Sequence, residues 1–142
     1  MTSLTRRYVF SASHRLDSSE LSAAENTRLF GKCNNPFGHG HDYVLEVTVA
    51  GDPDRVSGLI VPVSWLDELV TDKILRLFRN RYINLDVAEF AHLVPTTENV
   101  TQVAADLLAR DWREYIGGEG TARLEKVRIE ETGRNSCEIC LN

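Results

Sequence analysis

No stretch of the chain approaches the roughly 18 consecutive apolar residues that would read as a membrane span. The N-terminus also lacks the long apolar core of a secretory leader. "MTSLTRRYVFSASH" has two arginines, but its apolar patch is short and broken by serines. Basic charge is in deficit, with 16 Lys and Arg against 21 Asp and Glu for a net charge of −5. That argues against a nucleic-acid surface, which needs a basic excess. Cysteine is scarce and odd in number, three in all. With no leader, the cysteines read as reduced thiols rather than a disulfide framework. No repeat, low-complexity tract or linker interrupts the chain. The expectation is a cytoplasmic protein whose residues 1–142 form a single domain, with neither membrane nor nucleic acid as partner.

The clearest pattern is "HDYVLEVTVAG", where Tyr43, Leu45, Val47 and Val49 alternate with Val44, Glu46 and Thr48. Such alternation is a half-buried strand. Residues 4–13 and "ARLEKVRIEET" alternate more loosely, and "SCEICLN" reads as a last short strand. "DPDRVSG" is a turn by composition, and "LIV" after it reads as a strand completing a hairpin. Residues 17–30 predict a short irregular helix. Ser64 reads as an N-cap with Asp67 three residues on, opening a helix that carries Leu66, Leu69, Val70, Ile74 and Leu77 to about Asn80. A loop is expected over 81–95. Pro95 and Thr96 or Thr97 then open a second helix with Val100, Val103, Ala104, Leu107 and Leu108 on one face, closed by Gly117 and Gly118. The whole predicts an α+β fold, an antiparallel sheet with helices on one face.

"CNNPFGHGHDY" carries the chemistry (Cys33 to Tyr43). His39 and His41 are two apart at the start of a strand, so both rings face one side and can address one ion. His14, in "SASHR" at the end of the first strand, could be brought alongside by pairing. Three neutral imidazoles with one open position are how catalytic zinc is held. Histidines also fall two apart by chance on surfaces and in cores. Cys33 is open to three roles on chemistry alone: fourth ligand, nucleophile or base. The Cys137–Cys140 pair looks like a redox or metal motif. In a strand, however, an odd separation sends the two thiols to opposite faces.

"FSASHRL", "LFGKCNNPFGHGHDY", "PTTENV" and "VRIEET" together resemble the 6-pyruvoyl-tetrahydropterin synthase family, whose fold the 6-carboxytetrahydropterin synthases share. The four motifs occur in the family's order and cover nearly the whole chain. The resemblance implies the tunnelling or T-fold: a four-stranded antiparallel sheet with two helices on one face. It also implies a homo-oligomer, trimer or hexamer, whose sheets close into a barrel and whose sites lie between subunits. It assigns zinc to His14, His39 and His41, and proton abstraction to Cys33. It gives Glu131 the role of gripping a pterin ring, with Thr96, Thr97 and Glu98 as a second substrate-contacting stretch. Without the resemblance, a Thr there is a helix N-cap and Glu98 a favourable charge at a helix N-terminus.

The pattern breaks in "LFRNRYINLD". The resemblance sets Arg79 and Asn80 where the family carries an Asp-His pair that serves the cysteine as acid and base. Asn cannot move a proton near neutral pH, and Arg stays charged. Pro62 also stands where relatives often carry Asn or Asp. His92 is the one remaining histidine that could take the second proton. Arg79 could instead bind a carboxylate or phosphate of a changed substrate.

What the resemblance implies is a zinc-dependent lyase or cyclase. In it, Cys33 removes a proton next to a hydroxy-ketone held by zinc, on a 7,8-dihydropterin such as dihydroneopterin triphosphate. The alternatives are the same enolate chemistry on another small carbonyl compound, and a non-catalytic pterin-binding protein.

Overall fold

A computed structural model of the chain describes residues 1–118 and 120–142. Strand β1 (Thr2–His14) leads to helix α1 (Ala23–Phe30), a 3-10 turn (Gly31–Asn34) and strand β2 (His39–Gly51). Helix α2 (Val63–Val70) runs on through a π-helical turn (Thr71–Leu75) into α3 (Arg76–Phe78). The short helix α4 (Ile83–Asp86) and a 3-10 turn (Ala88–Phe90) precede α5 (Thr97–Arg110) and α6 (Trp112–Ile116). Strands β3 (Arg123–Thr132) and β4 (Asn135–Cys140) complete a four-stranded antiparallel sheet in the order β1-β2-β3-β4.

The alternation in β2 places Tyr43, Leu45, Val47 and Val49 fully inside, facing the helices. Val100, Val103, Ala104, Leu107 and Leu108 of α5 are buried as their helical spacing requires. Leu124 and Val127 of β3 are three residues apart, which in a regular strand would put them on opposite faces. A register shift where β3 meets Thr48 and Val49 absorbs the odd residue, so both are buried. Ile129 and Glu131 then follow one another on the same inner face.

Several expectations need correction. The partner of β2 is β1, over thirteen rungs from Thr2↔Gly51 to His14↔His39, and not residues 59–61. With β1 on one side and β3 on the other, β2 has no free edge for "LIV", which forms a bend. Pro62, not Ser64, is the N-cap of α2. Asp67 takes no part in capping. It receives Arg6 at 2.6 and 2.9 Å and the Tyr8 hydroxyl at 2.7 Å, tying β1 to α2. The helix expected over 17–30 shortens to Ala23–Phe30, fixed by a capping box between Ser22 and Glu25. Its Leu29 is exposed, and its one buried side chain is Asn26, which bonds the main chain around Ser18. The loop over 81–95 holds α4 and a 3-10 turn.

Candidate active site

Antiparallel pairing of the end of β1 with the start of β2 sets His14 opposite His39, and Ala12 opposite His41. The three imidazoles converge, with ring centroids 4.7 to 5.0 Å apart. Their ring nitrogens form a group of candidate metal donors, all within 4.8 Å of one another. His14 is fully buried and its Nδ1 lies 2.8 Å from the Pro95 carbonyl. A carbonyl only accepts, so Nδ1 carries the proton and Nε2 presents its lone pair. The Tyr43 hydroxyl stands 3.3 Å from the same Nδ1. Nε2 of His14 and Nε2 of His41 are buried with no hydrogen-bond partner among the described residues. Orphaned buried nitrogens are costly unless something else satisfies them. Burial pushes both rings below the ordinary histidine range, which keeps them neutral, the form that ligates metal. The donor set, its tautomer and its two orphan nitrogens fit a bound divalent cation.

Glu131 is nearly buried beside them. Its Oε1 is 3.2 Å from His41 Nε2, but off the N–H direction, so no hydrogen bond forms. Its Oε2 accepts from the Thr97 hydroxyl at 2.5 Å. The Asn135 amide donates to that same hydroxyl at 3.1 Å. Thr96 is the N-cap of α5, accepting from the Asn99 N–H at 3.2 Å. Glu98 is exposed in the first turn.

Cys33 sits half-buried on the 3-10 turn, whose chain is pinned where the Leu16 N–H donates to the Cys33 carbonyl at 2.8 Å. It lies outside the donor group formed by the histidines. Burial, and then the nearby Glu131 carboxylate, push its thiol above the ordinary range. Cys33 and His39 line a cavity of about 860 Å³ together with Arg15, Lys32 and Asn34.

Asn80 adopts a left-handed conformation at φ 58°, which Asn tolerates better than most residues. Its N–H donates to the Ser11 carbonyl at 2.7 Å, and Ser13 N–H donates to the Arg81 carbonyl at 3.0 Å. The turn is thereby strapped to β1, and Asn80 lines a cavity of about 610 Å³ with His41, Asp42, Arg81 and Tyr82. Arg79 is exposed. His92 is exposed too, in a separate cavity with Asp17 and Asn84. Cys137 and Cys140 are unpaired, opposite Ile129 and Lys126 respectively, and so on the two faces of the sheet.

The structure thus gathers His14, His39, His41, Cys33, Thr97 and Glu131 at one end of the sheet and leaves Glu98 and His92 at the surface. Sequence reasoning missed three contributors. Tyr43 had a signal, since it follows His41 by two and shares its face. The Pro95 carbonyl and Asn135 had none, because one is main chain and the other depends on the β3–β4 register.

Three convergent histidines, two of them with orphaned ring nitrogens, set beside a buried carboxylate at the end of the four-stranded sheet, define a candidate metal-centred site. The family model for 6-pyruvoyl tetrahydropterin synthase matches residues 3–140, and the chain belongs to that family. It is 40% identical to the Homo sapiens 6-pyruvoyl tetrahydrobiopterin synthase over 132 residues, 93% of this chain and 86% of that protein. It is 39% identical to the Drosophila melanogaster protein of the same name over 132 residues, 93% of this chain and 75% of the other. The structure of Caenorhabditis elegans 6-pyruvoyl tetrahydropterin synthase superposes with a TM-score of 0.88 at 35% identity, covering 99% of this chain and 96% of that one.

Proposed function

We propose that the protein is a zinc-dependent carbon–oxygen lyase acting on a 7,8-dihydropterin such as dihydroneopterin triphosphate. The observation that carries this reading is the pair of orphaned Nε2 atoms, on His14 and His41, beside the buried Glu131. His14, His39 and His41 would hold the metal. The chemistry it supplies there is Lewis-acid polarisation of the oxygens of a hydroxy-ketone side chain.

Glu131 binds the heterocycle, since a carboxylate accepts two parallel N–H bonds from a 2-amino-pyrimidinone edge as it does from a guanidinium. Cys33, on the cavity wall beside His39, takes the proton from the side-chain carbon. Its raised pKa keeps the thiol protonated until positive charge arrives nearby, so base function depends on a loaded site. Arg15, Lys32 and Asp17 line that cavity; Asp17 pairs with Arg15 at 3.4 Å, which leaves Lys32 as its positive charge. The working form is a cytoplasmic homo-oligomer, trimer or hexamer. The long outer edge of β1 and the edge of β4 favour assembly, because free strand edges seek pairing.

The second proton carrier departs from the family pattern, and this favours a second reading. By the resemblance, Arg79 and Asn80 stand where the family carries its dyad; Asn80 lines the cavity with His41, and His92 lies in another. Turnover of dihydroneopterin triphosphate is then slow, or the same chemistry serves a different hydroxy-ketone. Incubating zinc-loaded protein with dihydroneopterin triphosphate and following the products by mass spectrometry tests this. Slow release of triphosphate supports the lyase reading. Tight pterin binding with no release points to a pterin-binding protein, and neither binding nor release points to a non-pterin carbonyl substrate.

A further inference from the structure

The hydroxyl of Thr97 has one hydrogen and two lone pairs. Its hydrogen goes to Glu131 Oε2 at 2.5 Å. The Asn135 side chain approaches the same oxygen at 3.1 Å. With the only proton committed to Glu131, a carbonyl oxygen facing Thr97 would meet lone pairs, so the amide must present its N–H. The order of donation is therefore fixed along the chain Asn135, Thr97, Glu131. Thr97 is buried, and its main-chain carbonyl is taken by the Thr101 hydroxyl at 2.6 Å. Held this way, the Thr97 hydroxyl has no hydrogen left for a ligand.

Three elements meet at this point. Thr97 is the first residue of α5, Glu131 lies near the end of β3, and Asn135 opens β4 beyond the turn, paired with Thr132. A carboxylate fixed at Oε2 keeps Oε1 turned toward the histidines, and a bidentate acceptor requires its plane to be set in advance.

We propose that Thr97 is a positioning residue, and Asn135 its outer anchor, which together orient Glu131 for a heterocycle presenting two adjacent N–H donors. This rests on the reading of Glu131 as the pterin-binding group. It gives the Thr97 hydroxyl a role through the carboxylate rather than through direct contact with substrate.

The test is neopterin binding to zinc-loaded protein, followed by ligand fluorescence in wild type, Thr97→Val, Thr97→Ser and Asn135→Ala. Zinc content and melting temperature are measured alongside. Thr97→Val should weaken neopterin binding about 10- to 100-fold, the worth of a hydrogen bond to a charged group, with zinc retained. Thr97→Ser should restore affinity close to wild type. Asn135→Ala, one link removed and neutral, should weaken binding by a smaller factor. A Thr97→Val protein that melts lower but binds neopterin like wild type has lost only a structural hydroxyl, which overturns the proposal. Failure of Thr97→Ser to rescue overturns it as well. If Thr97→Val does not fold, Asn135→Ala decides, and unchanged affinity there is contrary. Wild-type protein that does not bind neopterin contradicts the pterin reading of Glu131 itself and takes this inference with it.

Discussion

Oε1 of Glu131 lies 3.2 Å from Nε2 of His41, close enough that a ligand held by the carboxylate lies against whatever the histidines hold. The two residues come from different strands, and only the pairing of β2 with β3 brings them together. On the proposed reading, heterocycle binding and metal binding would be adjacent, which is what a reaction on the side chain of a bicyclic substrate demands.

Glu131→Gln keeps the shape of the site and removes its charge. Pterin affinity should fall by about 1.5–3 kcal/mol, the usual worth of hydrogen bonds to a charged group. Titration of zinc-loaded protein with neopterin measures it. An unchanged affinity would favour the non-pterin substrate.

Cys33 provides the pH dependence. In metal-free protein its thiol titrates above the ordinary range, because burial and then Glu131 disfavour the thiolate. Alkylation of Cys33 by iodoacetamide should therefore need a higher pH than alkylation of free cysteine in the same buffer. Zinc at the histidines acts in the opposite sense, so loading should move the Cys33 profile to lower pH. Peptide mass spectrometry after timed alkylation reads both profiles. Reactivity of Cys33 equal to that of free cysteine at neutral pH in chelated protein contradicts the assigned environment.

The Arg79–Asn80 turn can be converted. Histidine is among the residues that tolerate the left-handed conformation found at Asn80, so Arg79→Asp with Asn80→His should fold. Restoring the pair should raise turnover of dihydroneopterin triphosphate at least about tenfold, toward the range of a general acid–base group. Each single change should give less, because a carboxylate without its imidazole has nothing to orient. His92→Ala in the native background should change little. Fast native turnover that survives His92→Ala would mean that another group carries the second proton.

Assembly is accessible to sedimentation. A trimer or hexamer is expected at micromolar concentration. A 16.0 kDa monomer would remove the basis for a site shared between subunits.

Much of this arrangement was legible in the chain itself, where local pattern and tertiary demand agree. The alternation of Tyr43, Leu45, Val47 and Val49 is set by one buried face, and the structure buries all four. The spacing of His39 and His41 determines that they share a face. The helix of α5 follows from Val100 to Leu108 and the Thr96 cap. What was misread is what distant residues decide. "LIV" has strand composition, but β2 already has two neighbours. Asp67 looks like a capping partner, yet Arg6 and Tyr8, about sixty residues earlier, claim it. The strap from Asn80 to Ser11 and the bond from His14 to the Pro95 carbonyl run through main-chain atoms, which every residue carries and no side-chain pattern announces.

The most direct measurement is zinc content by elemental analysis, made on purified wild type and on His41→Ala after equilibration with zinc and removal of excess. One zinc per chain in the wild type is expected, with loss of most of it in His41→Ala. The melting temperature of the metal-free variant should stay close to that of metal-free wild type. Full zinc in His41→Ala, or none in the wild type, would contradict the three-histidine centre on which the proposed chemistry stands.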